Sequence, residues 1–237
     1  MSTIYLIRHG QASFGQDNYD KLSEVGIEQA KVLGTGFAQR DIRPDHIIRG
    51  NMFRHQQTQD NCLEQLTLSS SSQIRHTLHI DENWNEFPHQ DVLAVYDERF
   101  AIPSKMMEHF KHETNPQATF IHTFNQALNR WKSGEYDNEY SEPWSTFKRR
   151  VMTGLDAIAT QTGKGQSSLV FTSGGAIAVV VMAMLDVADE HFMKINMNIA
   201  NCGVTQLKVT KQGLMLQVMN DHSLFDLVEN KALLTFR

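Results

Sequence analysis

Short apolar runs alternate along this chain with longer stretches whose apolar positions recur at helical spacing. Ile4-Tyr5-Leu6-Ile7 is a run of β-branched, aromatic and aliphatic side chains, which predicts a buried strand. Beyond it, Ile27, Ala30, Leu33 and Phe37 fall at helical spacing behind Ser23, so a helix with Ser23 as N-cap is expected. Pro44 ends that connection, and His46 to Ile48 predicts a second short strand. A helix from about Phe53 to Leu66 follows, and then Ser69 to Ser72, a run of four serines that reads as a surface loop. Thr77 to Ile80 is a third strand.

From Asn83 to Pro143 the alternation breaks down. Pro88, Pro103 and Pro116 separate short helical stretches rich in His, Asn, Glu and Met, and the region is expected to be an inserted helical cap over the strand ends. Regular structure resumes at Thr146, where Phe147, Val151, Leu155 and Ile158 mark one helix face. Ser168 to Thr172 predicts another buried strand, and Gly174-Gly175 leads into an apolar helix at Ala176. Val204 to Val209 and Leu214 to Met219 flank Lys211-Gln212-Gly213, which suggests an antiparallel hairpin at the sheet edge. The expectation is an α/β fold: a mostly parallel sheet sandwiched by helices, as one domain over 1–237 with a cap insertion at about 83–143. Ligand-handling residues then belong at the carboxyl ends of the strands.

Composition narrows the class. The chain has 237 residues, 41% hydrophobic and 21% charged, enough for a large core and ordinary for a globular protein. A formal net charge of −5 argues against nucleic acid as the main partner, while a local arginine cluster would still hold a phosphate. Cys62 and Cys202 make no metal or redox spacing and fit burial in a reducing cytoplasm. The longest apolar stretch, Ala176 to Leu185, is ten residues, too short to span a bilayer. The expected setting is soluble and cytoplasmic, with no membrane partner, and the oligomeric state is left open.

The chemistry begins where the first strand ends, at Arg8-His9-Gly10-Gln11. Leu22-Ser23 then precedes Gly26, Gln29 and Ala30. Together these residues resemble the opening of the histidine phosphatase superfamily, also called phosphoglycerate mutase-like. Its pattern is Arg-His-Gly-Glu/Gln, a loop, then Leu-Ser/Thr-x-x-Gly-x-x-Gln-Ala. The resemblance implies a phosphoglycerate mutase-like fold in which His9 attacks phosphorus and carries the phosphoryl group, with Arg8, Gly10 and Gln11 around the substrate. A neutral imidazole is nucleophilic near neutral pH, and nearby arginines favour that form. His9 also needs its other ring nitrogen tied to a backbone carbonyl.

Three further segments continue the resemblance, which runs from Ile4 to about His222. The family has Ser-Ser-Pro-Leu-x-Arg-Ala-x-x-Thr after a strand; here Met52, Arg54 and Thr58 are in register, whereas Arg49 to Asn51 and His55 depart. Arg54 at a helix start suits a phosphate clamp, with Arg49 a rival. Glu86, in Trp84-Asn85-Glu86-Phe87, matches the glutamate that protonates the leaving group; Glu82 and Asp91 are alternatives, and the aromatic neighbours would raise its pKa. Val170-Phe171-Thr172-Ser173-Gly174-Gly175 aligns with Val-Val-Ser-His-Gly-Gly, in which the histidine binds the transferring phosphoryl group. Ser173 stands at that position. A hydroxyl and the amides of Gly174 and Gly175 still offer donors, but the cationic one is missing. His222 is the first candidate to compensate, because the last strand should end at the same edge; His55 and His89 are others.

The implied activity is phosphomonoester hydrolysis of a small phosphorylated substrate through a phosphohistidine on His9. No cofactor and no metal is called for, since no histidine pair has a zinc-helix spacing. Two alternatives stay open: a phosphoglycerate mutase-type phosphotransferase, and a non-catalytic protein that binds phosphate ligands.

Overall fold

In the computed structural model, which describes residues 2–13, 20–69 and 76–236, the alternating pattern becomes a six-stranded sheet. The strands are β1 (Ser2–Arg8), β2 (His46–Arg49), β3 (Thr77–Ile80), β4 (Ser167–Thr172), β5 (Val204–Thr210) and β6 (Gly213–Asp221), in the spatial order β3-β2-β4-β1-β5-β6. The first four run parallel. β5 is antiparallel to both β1 and β6, so the hairpin forms one edge. Gly213 makes its turn with φ +117°, a conformation in which glycine has no steric penalty.

Eight α-helices lie among the described residues: α1 (Glu24–Gln39), α2 (Phe53–Leu68), α3 (His89–Tyr96), α4 (Pro103–Lys111), α5 (Pro116–Lys132), α6 (Trp144–Gln161), α7 (Gly174–Leu185) and α8 (Phe192–Asn196). Ser23 caps α1 as expected, accepting from the Gly26 amide. The reading of Ser69 to Ser72 as a loop falls mostly on residues 70–75, outside the described residues.

Strand alternation divides the core. Ile7, Ile47, Leu169 and Phe171 point to one face and meet Ala30, Leu33 and Phe37 of α1 and Cys62 and Leu66 of α2. Their neighbours Leu6, Ile48 and Val170, buried too, point the opposite way, and α7 packs against β1. Both cysteines are free and buried. β3 is exposed along its whole length because it is the other sheet edge.

The chain divides into two compact units, one formed by Met1–Asn85 with Val151–Arg237 and the other by Glu86–Arg150. The second is helical and holds an aromatic core. Phe87 stacks on Trp131 with ring centroids 5.2 Å apart, and Trp144 and Phe147 close around Trp131. Arg150 pairs with Glu142 at 2.6 Å, both largely shielded from solvent. No helix among the described residues is long and apolar enough to cross a membrane.

Candidate active site

The parallel register sets the site. Arg8 of β1 is level with Thr172 of β4, and Arg49 of β2 with Phe171. His9, Ser173 and Gly50, the residues just beyond, therefore emerge together at one sheet edge.

His9 is buried, and its backbone is held on several sides. Its amide donates to the Thr172 carbonyl at 2.9 Å, and its carbonyl accepts from Asn201 Nδ2 at 3.1 Å. The ring makes two contacts that define its tautomer. Nδ1 lies 2.7 Å from the Gly10 carbonyl, which can only accept, and Nε2 receives Nε–H of Arg54 at 3.1 Å. The proton is therefore on Nδ1 and the lone pair on Nε2. Burial, followed by the charges of Arg54 and Arg8, holds the His9 pKa well below its ordinary value of 6.5, so the ring is neutral.

The following loop is locked onto α1 and α2. The Gly10 amide donates to Thr58 Oγ1 at 3.0 Å, and that hydroxyl donates to the Arg54 carbonyl at 2.7 Å. A Cβ on Gly10 would sit 2.4 Å from the Gly26 carbonyl oxygen, and one on Gly26 would sit 2.2 Å from that of Gln11. Both glycines are therefore required by close backbone approach. The Gln11 side chain accepts from Ser23 Oγ at 2.8 Å, so it ties the loop to the cap of α1. The Gln11 amide donates to Gln29 Oε1 at 2.8 Å.

Of the two rival arginines, Arg54 is the one that meets His9. It is nearly fully buried, and its Nη1 lies 2.7 Å from Asp20 Oδ1. Asp20 Oδ2 also accepts from the Phe53 amide at 2.8 Å, which caps α2 in place of Met52, whose side chain makes no cap bond. Arg49 donates instead to the Gly50 carbonyl at 3.0 Å. Arg8 Nη1 donates to the carbonyls of Ile199 and Phe236, while its Nε approaches Gly174, at 3.4 Å from where a Cβ would stand.

Ser173 is fully buried at the N-terminus of α7, yet its hydroxyl makes no cap bond to that helix. It lies 2.7 Å from Nε2 of His55. His55 is likewise fully buried, with its ring centroid 5.7 Å from that of His9.

The histidine beside Ser173 is thus His55, and His222 is placed elsewhere. β6 does end at the expected edge, but β1 and β5 stand between it and β4. Three strand spacings amount to roughly 15 Å. His222 Nδ1 pairs with the Asn220 carbonyl at 2.7 Å, and its ring meets Phe236 edge-on. His89 lies against Phe87 in the second unit.

Glu86 belongs to that second unit. Its Oε1 accepts from the Phe87 amide at 3.1 Å, and Arg150 donates to its carbonyl at 3.1 Å. The alternatives are engaged otherwise: Glu82 accepts from Asn51 and Asp91 from Ser141. Just ahead of Glu86, the Trp84 carbonyl accepts from Thr172 Oγ1 at 2.5 Å, pinning that turn to the end of β4.

Sequence reasoning missed Asp20 and a supporting chain of polar groups. Gln29 Nε2 donates to Thr235 Oγ1 at 2.8 Å, Thr235 donates to Asn201 Oδ1 at 2.9 Å, and Asn201 holds the His9 carbonyl. These residues are far apart in sequence and share no motif; only the buried Gln29, in the family pattern, hinted at them. Among the described residues, no group of three or more His, Cys, Asp or Glu side chains is gathered to hold a metal ion.

A buried histidine with a defined tautomer thus lies beside an arginine at the carboxyl edge of the parallel strands. The chain belongs to the histidine phosphatase superfamily (branch 1), whose family model matches residues 4–117 and 98–222. Solved structures share its fold. Bacillus stearothermophilus YhfR matches with a TM-score of 0.64 at 16% identity, over 94% of this chain and 99% of that one. The alpha-ribazole phosphatase of Shigella flexneri matches at 0.62 and 17%, over 92% and 96%. Phosphoserine phosphatase from Entamoeba histolytica, solved with 3-phosphoglyceric acid, matches at 0.60 and 16%, over 94% and 99%. No curated protein matches the chain.

Proposed function

We propose that this protein is a phosphomonoester hydrolase working through a phosphohistidine on His9. The observation that carries the reading is the state of that ring: neutral, protonated on Nδ1, and presenting Nε2 to Arg54. In the first step the Arg54 Nε–H releases Nε2 and turns to the phosphoryl oxygens, and the freed Nε2 lone pair forms a bond to phosphorus as the ester P–O bond breaks. The departing alkoxide takes a proton from the Glu86 carboxylic acid, a role assigned from its place in Trp84-Asn85-Glu86-Phe87. In the second step Glu86, now a carboxylate, accepts a proton from water as the water oxygen attacks phosphorus. The P–N bond breaks, its electron pair returns to Nε2, and inorganic phosphate leaves. Arg54, Arg8, Ser173 and the N-terminus of α7 around Gly174 supply the positive field for the phosphoryl oxygens.

The substrate class is a small phosphomonoester. The named phosphatases among the similar structures support that choice. The test is phosphate release from p-nitrophenyl phosphate and a panel of phosphomonoesters by wild type and His9→Ala. Turnover lost in His9→Ala is expected; turnover that survives the substitution overturns the scheme. Phosphoglycerate isomerisation without phosphate release would instead make the protein a mutase.

A further inference from the structure

Three departures from the family pattern, two on one segment and one more than a hundred residues away, meet at one point. Gly50 and His55 stand where that pattern has serine and alanine, and Ser173 stands where it has histidine. A Cβ on Gly50 would lie 2.4 Å from His55 Nδ1, so the glycine makes room for the ring. The ring then reaches Ser173 at 2.7 Å. A histidine and a small residue have in effect exchanged places between α2 and the end of β4.

We propose that Ser173 and His55 act together as the second phosphoryl clamp of this site. Ser173 is the donor that touches the phosphoryl oxygen, and His55 is the residue that positions it. The inference rests on the phosphatase reading and adds a residue to it.

The hydrogen bonding gives the pair a direction. Burial, then the charges of Arg54 and Arg49, keeps the His55 pKa well below its ordinary value, so the ring carries one proton. Nδ1 is buried without a hydrogen-bond partner. A proton there would be an orphaned buried donor, which is rarer than an unpaired acceptor. The proton therefore sits on Nε2, and Ser173 Oγ accepts it. That leaves the hydroxyl proton of Ser173 to be donated onward. The serine has meanwhile given up the local role it usually takes at a helix N-terminus, which is the expected cost of aiming its hydroxyl elsewhere.

The test compares kcat and KM for His55→Ala, His55→Phe, Ser173→Ala and the exchange variant His55→Ala/Ser173→His, with thermal melts to confirm folding. His55→Ala and Ser173→Ala should each lower kcat about 10²-fold, the scale of one preorganised donor, with KM changed far less. His55→Phe keeps the ring volume without the nitrogen and should be as impaired as His55→Ala. The exchange variant should return to within about tenfold of wild type. A fully active His55→Phe, or a folded exchange variant no better than His55→Ala, overturns the clamp while leaving the His9 scheme standing. Should wild type release no phosphate, the phosphatase reading fails, and the clamp is read from orthovanadate binding by calorimetry. Affinity lost in His55→Phe and regained in the exchange variant supports it; equal affinity in all three rejects it.

Discussion

Arg54 donates from Nε to Nε2 of His9 at 3.1 Å, while Asp20 grips the same guanidinium from the other side at 2.7 Å. His9 and Arg54 are thus held in line by the Asp20 carboxylate, and on the proposed function they are the nucleophile and its phosphate clamp. Arg54→Lys removes the fixed Nε donor and the planar fork, which a lysine ammonium does not reproduce. A loss of about 10²-fold in kcat/KM is expected from the missing donor, with the circular dichroism spectrum unchanged. A drop of less than tenfold would show that Arg54 is not the clamp.

Asp20 accepts from both Arg54 and the Phe53 amide, the donors that the proposed phosphate site would use. Asp20→Asn keeps an acceptor oxygen for one of the two donors, sets an amide NH2 against the other, and removes the negative charge. Inorganic phosphate should then inhibit about fivefold more tightly, a gain of roughly 1 kcal/mol from relieved charge repulsion. Unchanged or weaker inhibition would mean that the carboxylate orients the arginine rather than opposing the ligand.

Both His9 and His55 are held below their ordinary pKa of 6.5, mainly by burial and then by arginines. Above about pH 6.5 the rings are neutral in folded and unfolded chains alike, so they add no pH dependence. Below it the unfolded chain takes up protons that the folded chain refuses. Stability should therefore fall by roughly one kcal/mol per pH unit for each ring. Urea melts at pH 7.5 and 5.5 measure this, and the fall should shrink in His55→Phe. In the same range kcat/KM should show no inflection at pH 6.5, because His9 stays neutral there.

Gly26→Ala tests the loop geometry. Its new methyl would meet the backbone carbonyl of Gln11 at 2.2 Å, and backbone does not yield as a flexible side chain does. Destabilisation of roughly 1–3 kcal/mol is expected from such overpacking, measurable by urea denaturation. A stability loss below that range would mean that the loop moves aside freely.

β1, β2 and β4 were legible as short apolar runs, and the β5–β6 hairpin from its alternation and the glycine in its turn. His9, Arg54 and Ser173 were singled out by motifs that resemble the family's, and each lies just past a strand or at a helix start. The partner of Ser173 was not. Edge and direction correctly put His222 at the carboxyl end of the sheet, but its column, set by the strand order β4-β1-β5-β6, is invisible in sequence. His55 follows Arg54, whose side chain meets His9, yet its own ring points to Ser173, a divergence fixed by the helix rather than by any motif. The Gln29–Thr235–Asn201 chain was hidden for a similar reason, since it joins α1 to residues near the end of the chain and to the turn before β5.

The most direct measurement is a rapid quench of turnover into alkali, followed by mass spectrometry of the peptide carrying His9. An alkali-stable, acid-labile phosphoryl group on that peptide, absent in His9→Ala, is the expected result. Steady turnover with no phosphoryl group on His9 at any time would contradict the phosphohistidine route.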